Sequence, residues 1–165
     1  MLMADQLVIS RLFKAPRARL WAAWTEPELL ARWFGPKGVT TTIVSADIRP
    51  GGHVHCHMDF PDGPRIWAKL VYREVEPLIR LEWEHSFSDP GGDIAGSPFG
   101  GAWPKRLLNS VTFEDAGADT RIRLTSTPLN AAVEEEAAFR DALDSMHGGW
   151  GGNFDVLDAF LAGPA

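Results

Sequence analysis

Residues 139–161 read FRDALDSMHGGWGGNFDVLDAFL. Within this stretch Phe139, Leu143, Met146, Trp150, Phe154, Leu157 and Leu161 are spaced 4, 3, 4, 4, 3 and 4, so 22 residues make six turns at 3.67 residues per turn. That is the period of an α-helix with a single apolar stripe, and a stripe of this kind must be covered by another layer of structure. The stripe keeps phase through His147-Gly148-Gly149-Trp150-Gly151-Gly152, although each glycine costs a helix interior about 1 kcal/mol against alanine. Two readings follow. Either a glycine break separates two helices, or one continuous, locally soft helix uses its missing side chains for close backbone approach or to leave room for a ligand.

Working outward, Glu134, Glu135 and Glu136 stand where the helical segment begins, and negative charge there is favoured by the helix dipole. Pro128 ends the element before it, and everything from Ala131 onward reads as helical. Between residues 39 and 127, turn clusters at Pro50-Gly51-Gly52, Phe60-Pro61-Asp62-Gly63, Glu76-Pro77, Ser88 to Gly101 and Glu114 to Asp119 punctuate six strand-like runs. These runs cover roughly 39–48, 53–59, 65–75, 79–87, 106–114 and 120–127, and hairpin-length connections imply an antiparallel sheet. The exception is the long glycine-rich loop at 88–104. At the other end of the chain, LVISRLFK at 7–14 alternates as a strand does. Pro16 then opens a short helix through Trp24. Thr25-Glu26-Pro27-Glu28 has the spacing of a capping box, so a second short helix is expected to run to Trp33 or Phe34, where Gly35-Pro36-Lys37-Gly38 stops it. The fold class expected is α+β: a curved seven-stranded antiparallel sheet around a long C-terminal helix, with two short helices after the first strand, in one domain over residues 1–165.

Composition agrees. The 165 residues are 45% hydrophobic and 23% charged, enough for one globular core without disulfides. The lone Cys56 makes no internal bridge and reads as a small core residue. A net charge of −6 disfavours nucleic acid as a partner. No apolar run is long enough to span a membrane, and MLMADQ has neither the charged nor the apolar region of a signal peptide, so a cytoplasmic location is expected. Seven tryptophans against one tyrosine remain to be placed.

Several motifs in register resemble a known family. Ile9-Ser10-Arg11 through Ala15-Pro16, Leu20-Trp21-Ala22-Ala23-Trp24-Thr25-Glu26-Pro27-Glu28-Leu29 and Arg32-Trp33-Phe34-Gly35-Pro36 are similar to the N-terminal signature of the activator-of-heat-shock-protein-90-ATPase branch of the START-like (SRPBCC) superfamily. Further matches follow in order at Arg49-Pro50-Gly51-Gly52, Met58 with Pro61-Asp62-Gly63, Val111-Thr112-Phe113-Glu114, Thr120-Arg121-Ile122 and Gly149-Trp150. The resemblance implies a helix-grip fold, a curved sheet closed around a long helix and an apolar cavity. Superfamily members are lipid carriers, hormone receptors, polyketide cyclases and chaperone regulators, so function has to come from the site.

Strand alternation nominates that site. Ile79, Leu81, Trp83 and His85 are expected to point inward, with Glu82 and Glu84 outside. Leu107, Asn109, Val111 and Phe113 point in likewise, as do Ile122, Leu124 and Ser126. Facing the helix stripe, this makes Trp83, His85, Asn109, Val111, Phe113, Leu124, Phe139, Leu143, Met146 and Trp150 the candidate ligand-binding set. It is a mostly apolar lining with a few polar groups, as a small-molecule pocket requires. The alternative is a plain packed core. The functional reading is binding of a hydrophobic or aromatic small molecule. The alternatives are a chaperone co-regulator and a cyclase or hydrolase using His85 with Asn109. No cofactor is expected.

His53, His55 and His57 share one strand face, but neighbours at that spacing lie about 7 Å apart and do not converge on a metal about 2 Å from each nitrogen. Val54, Cys56 and Met58 are the more apolar set, so the histidines are expected on the outer, solvated face, with no metal site. Arg11, beside Ile9 and Phe13, must be paired if it points inward. It either neutralises a ligand carboxylate or ties to an acidic residue, and the structural pair is favoured. Trp21, Trp24 and Trp33 are expected to close one end of the grip. The 88–104 loop, with Phe99 and Trp103, is either a lid or a packed connection.

Overall fold

The computed structural model describes residues 5–163. Residues 1–4 and 164–165 lie outside that span, so the signal-peptide reading of the opening and the outermost ends of the single-domain reading fall outside the described residues.

The strands are β1 (Leu7–Phe13), β2 (Thr40–Asp47), β3 (His53–Asp59), β4 (Arg65–Glu76), β5 (Arg80–Phe87), β6 (Leu107–Ala116) and β7 (Asp119–Pro128). Helices α1 (Arg17–Thr25) and α2 (Pro27–Trp33) follow β1, and α3 (Val133–Asp141) and α4 (Leu143–Ala162) follow β7. One antiparallel sheet carries all seven strands in the order β1-β7-β6-β5-β4-β3-β2. It is a meander closed by the first strand, which returns to pair with the last. Register shifts between Ile43 and Ser45 in β2 and between Tyr72 and Glu74 in β4 leave Val44 and Arg73 as extra residues, and such bulges add bend and twist. The curved sheet packs its concave face on α1, α2 and α4, with Phe13, Trp24, Trp33, Trp83, Phe113 and Phe154 in one buried cluster.

Alternation predicts the inner face of β6 and β7 residue by residue. Leu107, Asn109, Val111, Phe113, Ile122, Leu124 and Ser126 are all buried. In β5 the strand starts one residue later than expected, at Arg80, with its phase unchanged. Leu78 takes a left-handed φ of 65°, which makes Ile79 part of the turn and leaves it 53% exposed rather than inward. Leu81, Trp83 and His85 keep the inner face, while Glu82 and Glu84 lie outside in ion pairs with Arg80, Arg73 and Arg106.

Three further expectations change. The capping box at Thr25 does not form: Thr25 Oγ1 donates back to the Trp21 carbonyl at 2.7 Å, Glu26 is the N-cap, and Pro27 takes the first helical position. Back-bonding within the previous turn competes with capping of the next one. The histidine face of β3 is the outer face, as expected, but it is not solvated. His55 and His57 are each 7% exposed, covered by Trp67 at ring distances of 5.0 and 4.7 Å and by the Ser88–Asp93 segment. His55 Nε2 donates to the Asp89 carbonyl at 3.2 Å, and Lys69 Nζ donates to the Gly92 carbonyl at 2.9 Å, so this part of the loop is pinned to the sheet. Last, the C-terminal segment is two helices, but the break falls at Ala142 and not among the glycines. The Glu135 carboxylate accepts the Ala132 N–H at 2.8 Å and caps α3, which accounts for one of the three glutamates.

Candidate functional site

Helix α4 runs unbroken through Gly148–Gly152. A Cβ placed on Gly148, Gly149, Gly151 or Gly152 would meet nothing within 4 Å, so these glycines leave space rather than permit tight packing. At Gly149 that space is part of a cleft of about 310 Å³ at one end of the grip. Its walls are Phe34, Gly35 and Pro36 from the turn after α2, Met58 at the end of β3, His85 and Phe87 of β5, and Met146, Trp150 and Asn153 of α4. A second cleft of about 170 Å³ shares His85, Phe87, Met146 and Trp150, and extends to Trp103, Pro104, Leu107 and Asn109.

The rim is held by an identifiable set of bonds. Asn153, buried on α4, accepts the Gly35 N–H through Oδ1 at 3.2 Å and donates through Nδ2 to the Trp33 carbonyl at 2.6 Å. Thr41 Oγ1 donates to the Phe34 carbonyl. Gly35 has φ +121°, where only glycine sits easily, and an added Cβ would come within 2.8 Å of Thr41 Oγ1. The α2–β2 turn is therefore fixed to the middle of α4, and Phe34 is presented to Trp150 at a ring distance of 6.2 Å.

Of the residues nominated from sequence, His85, Met146 and Trp150 line both clefts and Asn109 lines the second. Trp83, Val111, Phe113, Leu124 and Phe139 are fully packed in the core, outside the lining of both clefts, and Leu143 packs partly buried against that core. The inner half of the grip is thus filled, and the two clefts lie where the α2–β2 turn, β3, β5 and the start of β6 meet α4. Phe34, Gly35, Pro36, Met58, Phe87 and Asn153 were not nominated. Phe34 to Pro36 lie in a turn that strand or helix periodicity does not reach, whereas Asn153 sits one residue before Phe154 of the stripe, a signal that was legible.

Trp83 Nε1 donates to His85 Nδ1 at 3.3 Å. An indole nitrogen only donates, so the neutral imidazole carries its proton on Nε2. Desolvation pushes the His85 pKa down to about 4, which makes the neutral ring the form present at pH 7. Asn109 is 2% exposed, and its Oδ1 is sealed without a partner, as is Ser126 Oγ directly opposite in the β6–β7 register. Burial also pushes the Cys56 thiol up to about 12, as fits a core residue and not a nucleophile.

Arg11 takes the structural pair. Its guanidinium reaches Asp155 at 2.7 Å, Asp158 at 3.2 Å and the Gly151 carbonyl at 3.3 Å, over the Phe154 ring at 5.8 Å. Trp24 and Trp33 are buried against each other at 4.6 Å, and Trp21 lies 5.3 Å from Phe113, so the short helices close the filled end. The 88–104 loop is divided in character: Trp103 packs 6.0 Å from Phe139, while Phe99 is 74% exposed. A larger crevice of about 650 Å³ lies outside the grip near Lys105, Arg106 and Glu135, and it shares no lining residue with the two clefts. Two of its charges are already engaged, Arg106 with Glu84 and Glu135 with the α3 cap. Among the described residues no cluster of ligating side chains suits a metal ion, and no helix is long and apolar enough to cross a membrane.

Comparison with known proteins places this geometry in context. Protein Ms6760 from Mycobacterium smegmatis has the same fold at TM-score 0.79, with 24% identity over 99% of this chain and 96% of that one. A protein from Arthrobacter aurescens gives TM-score 0.81 and 28% identity over 98% and 88%. DynU16, a protein of the dynemicin biosynthetic locus, gives TM-score 0.66 and 20% identity, with 96% of this chain covering 47% of that one. No curated protein matches the chain. Residues 14–162 match the family described as Activator of Hsp90 ATPase homolog 1-like protein, and over that span, from the end of β1 to the end of α4, the chain belongs to this family.

Proposed function

We propose that this protein binds a hydrophobic or aromatic small molecule in the clefts between β5, β6 and α4. One observation carries the reading: two adjoining clefts of about 310 and 170 Å³ share Phe87, Met146, Trp150 and His85, with no Asp, Glu, Lys or Arg in either lining. Broad apolar walls with few polar groups suit a drug-sized apolar ligand. The family fold, which commonly binds small hydrophobic ligands, supports the same reading. Native mass spectrometry of the protein with Nile red, and displacement of the dye by naphthalene-sized compounds, tests it. Wild type should show a one-to-one complex, and Trp150→Ala should weaken it about tenfold, because loss of a large aromatic wall removes 1–2 kcal/mol of contact. Absence of any complex would overturn the reading.

The family match also supports a chaperone co-regulator. Unchanged chaperone ATPase rate and no enrichment in a pull-down would remove that reading. A cyclase or hydrolase using His85 draws less support, because an imidazole held near pKa 4 is far from the neutral range at which acid–base catalysis is most efficient.

A further inference from the structure

Two polar groups in the second cleft are not used by the fold. His85 Nδ1 is occupied by Trp83, so Nε2–H is the free end of the ring, and it has no hydrogen-bond partner among the described residues. Asn109 presents the other group. Its Oδ1 is the end sealed from solvent; its Nδ2 is not among the sealed atoms and likewise makes no bond among the described residues. Asn153, in the lining of the first cleft, has both ends of its amide engaged, so a free asparagine amide is not the rule in this protein. The sheet brings the two free groups together. Asn109 is the register partner of Trp83, and Leu107 is the partner of His85, which makes His85 and Asn109 diagonal neighbours on the same inner face. Diagonal neighbours lie about 7 Å apart at the backbone, close enough for both N–H groups to reach one oxygen at about 2.9 Å each.

We propose that the ligand is a neutral, flat apolar molecule held by a carbonyl oxygen between His85 Nε2–H and Asn109 Nδ2–H. Two converging donors suit an oxygen that only accepts, as in an aryl ketone, ester or quinone. Both clefts lack a cationic side chain in their linings, so nothing offsets the cost of desolvating a carboxylate. Ser126 Oγ, on the residue opposite Asn109 in the register, is likewise sealed without a partner, so the open end of the Asn109 amide is Nδ2. The inference rests on the clefts being a binding site, and its test separates the two claims.

The probes are 2-acetonaphthone and its hydrocarbon isostere 2-isopropylnaphthalene, titrated by calorimetry, with 2-naphthoate as the anion. The ketone should bind wild type about thirtyfold tighter than the hydrocarbon, since two neutral hydrogen bonds contribute about 1 kcal/mol net each, and naphthoate should bind more weakly than either. Asn109→Leu, which leaves the His85 Nε2–H donor in place, should cut the ketone's preference over the hydrocarbon to about fivefold. A second readout does not depend on a variant: the ketone C=O stretch should move to lower frequency on binding to wild type. Equal affinities of ketone and hydrocarbon in wild type, or an unshifted C=O stretch, overturn the carbonyl inference and leave the apolar binding site standing. Failure of both neutral probes to bind overturns both.

Discussion

His85 shows what burial does to a single residue. Folding moves its pKa from an ordinary value of 6.5 to about 4 by desolvation. Below 6.5 the unfolded chain takes up a proton that the folded ring refuses, so protons stabilise the unfolded state and stability falls as the pH drops from 6.5 toward 4. Above 6.5 this contribution is complete and flat. The ring is partly open to the cleft, so the loss is on the order of 1–2 kcal/mol, below what the full shift implies. Urea unfolding at pH 7.0 and 5.0 should show wild type losing more stability than His85→Phe, which has no proton to take up. An identical pH dependence in both would sink this account. The same residue scale separates the two asparagines: Asn153 spends its amide on the Gly35–Trp33 turn, and Asn109 keeps its amide free in the cleft.

At the scale of elements, α4 trades stability for space. Its four glycines have nothing within 4 Å of where a Cβ would stand. Alanine there meets no clash and recovers helix propensity of about 1 kcal/mol. For a domain of this length Gly148→Ala should raise the melting temperature by about 2–4 °C. Gly149→Ala should stabilise similarly but intrude on the larger cleft and lower the affinity for Nile red, whereas Gly148→Ala should leave it unchanged. Melting curves and dye titrations of the two variants check this together. The elements were legible to different degrees. Strand limits were readable because Pro, Gly and Asp mark every hairpin, and the inner face of β6 and β7 because a strand alternates strictly. Where a turn extends into the expected strand, as at Leu78 before β5, alternation misassigned Ile79. The outer-face burial of His55 was not readable, because part of its cover is a loop more than thirty residues away in sequence, and that of His57 was not readable because it lies under Trp67 of the neighbouring strand. The position of the clefts was hidden for a related reason. Which part of the grip is filled depends on side-chain volumes contributed by helices α1, α2 and α4 together, and the tryptophans of α1 and α2 fill the end that holds Trp83.

At the scale of the whole molecule, the two ends of the chain are fastened to each other. Among the described residues β1 pairs only with β7, and Arg11 ties β1 to Asp155 and Asp158 of α4. Both carboxylates are well exposed, so each pair contributes about 0.2–1 kcal/mol and is screened by salt. Arg11→Met should therefore destabilise the protein by about 1 kcal/mol in dilute buffer, and by less in 0.5 M sodium chloride. A loss that does not depend on salt would assign Arg11's role to packing over Phe154 instead. The β1–β7 pairing also bears on how the protein is made. A ribosome releases β1 before β7, whose register partners follow more than a hundred residues later. At about 5–20 residues per second, Leu7, Ile9 and Phe13 wait roughly 5–20 s before the strand that shelters them exists. Helix α4, which packs on the concave face, emerges later still, so that face of the nascent sheet stays uncovered until α4 has left the ribosome.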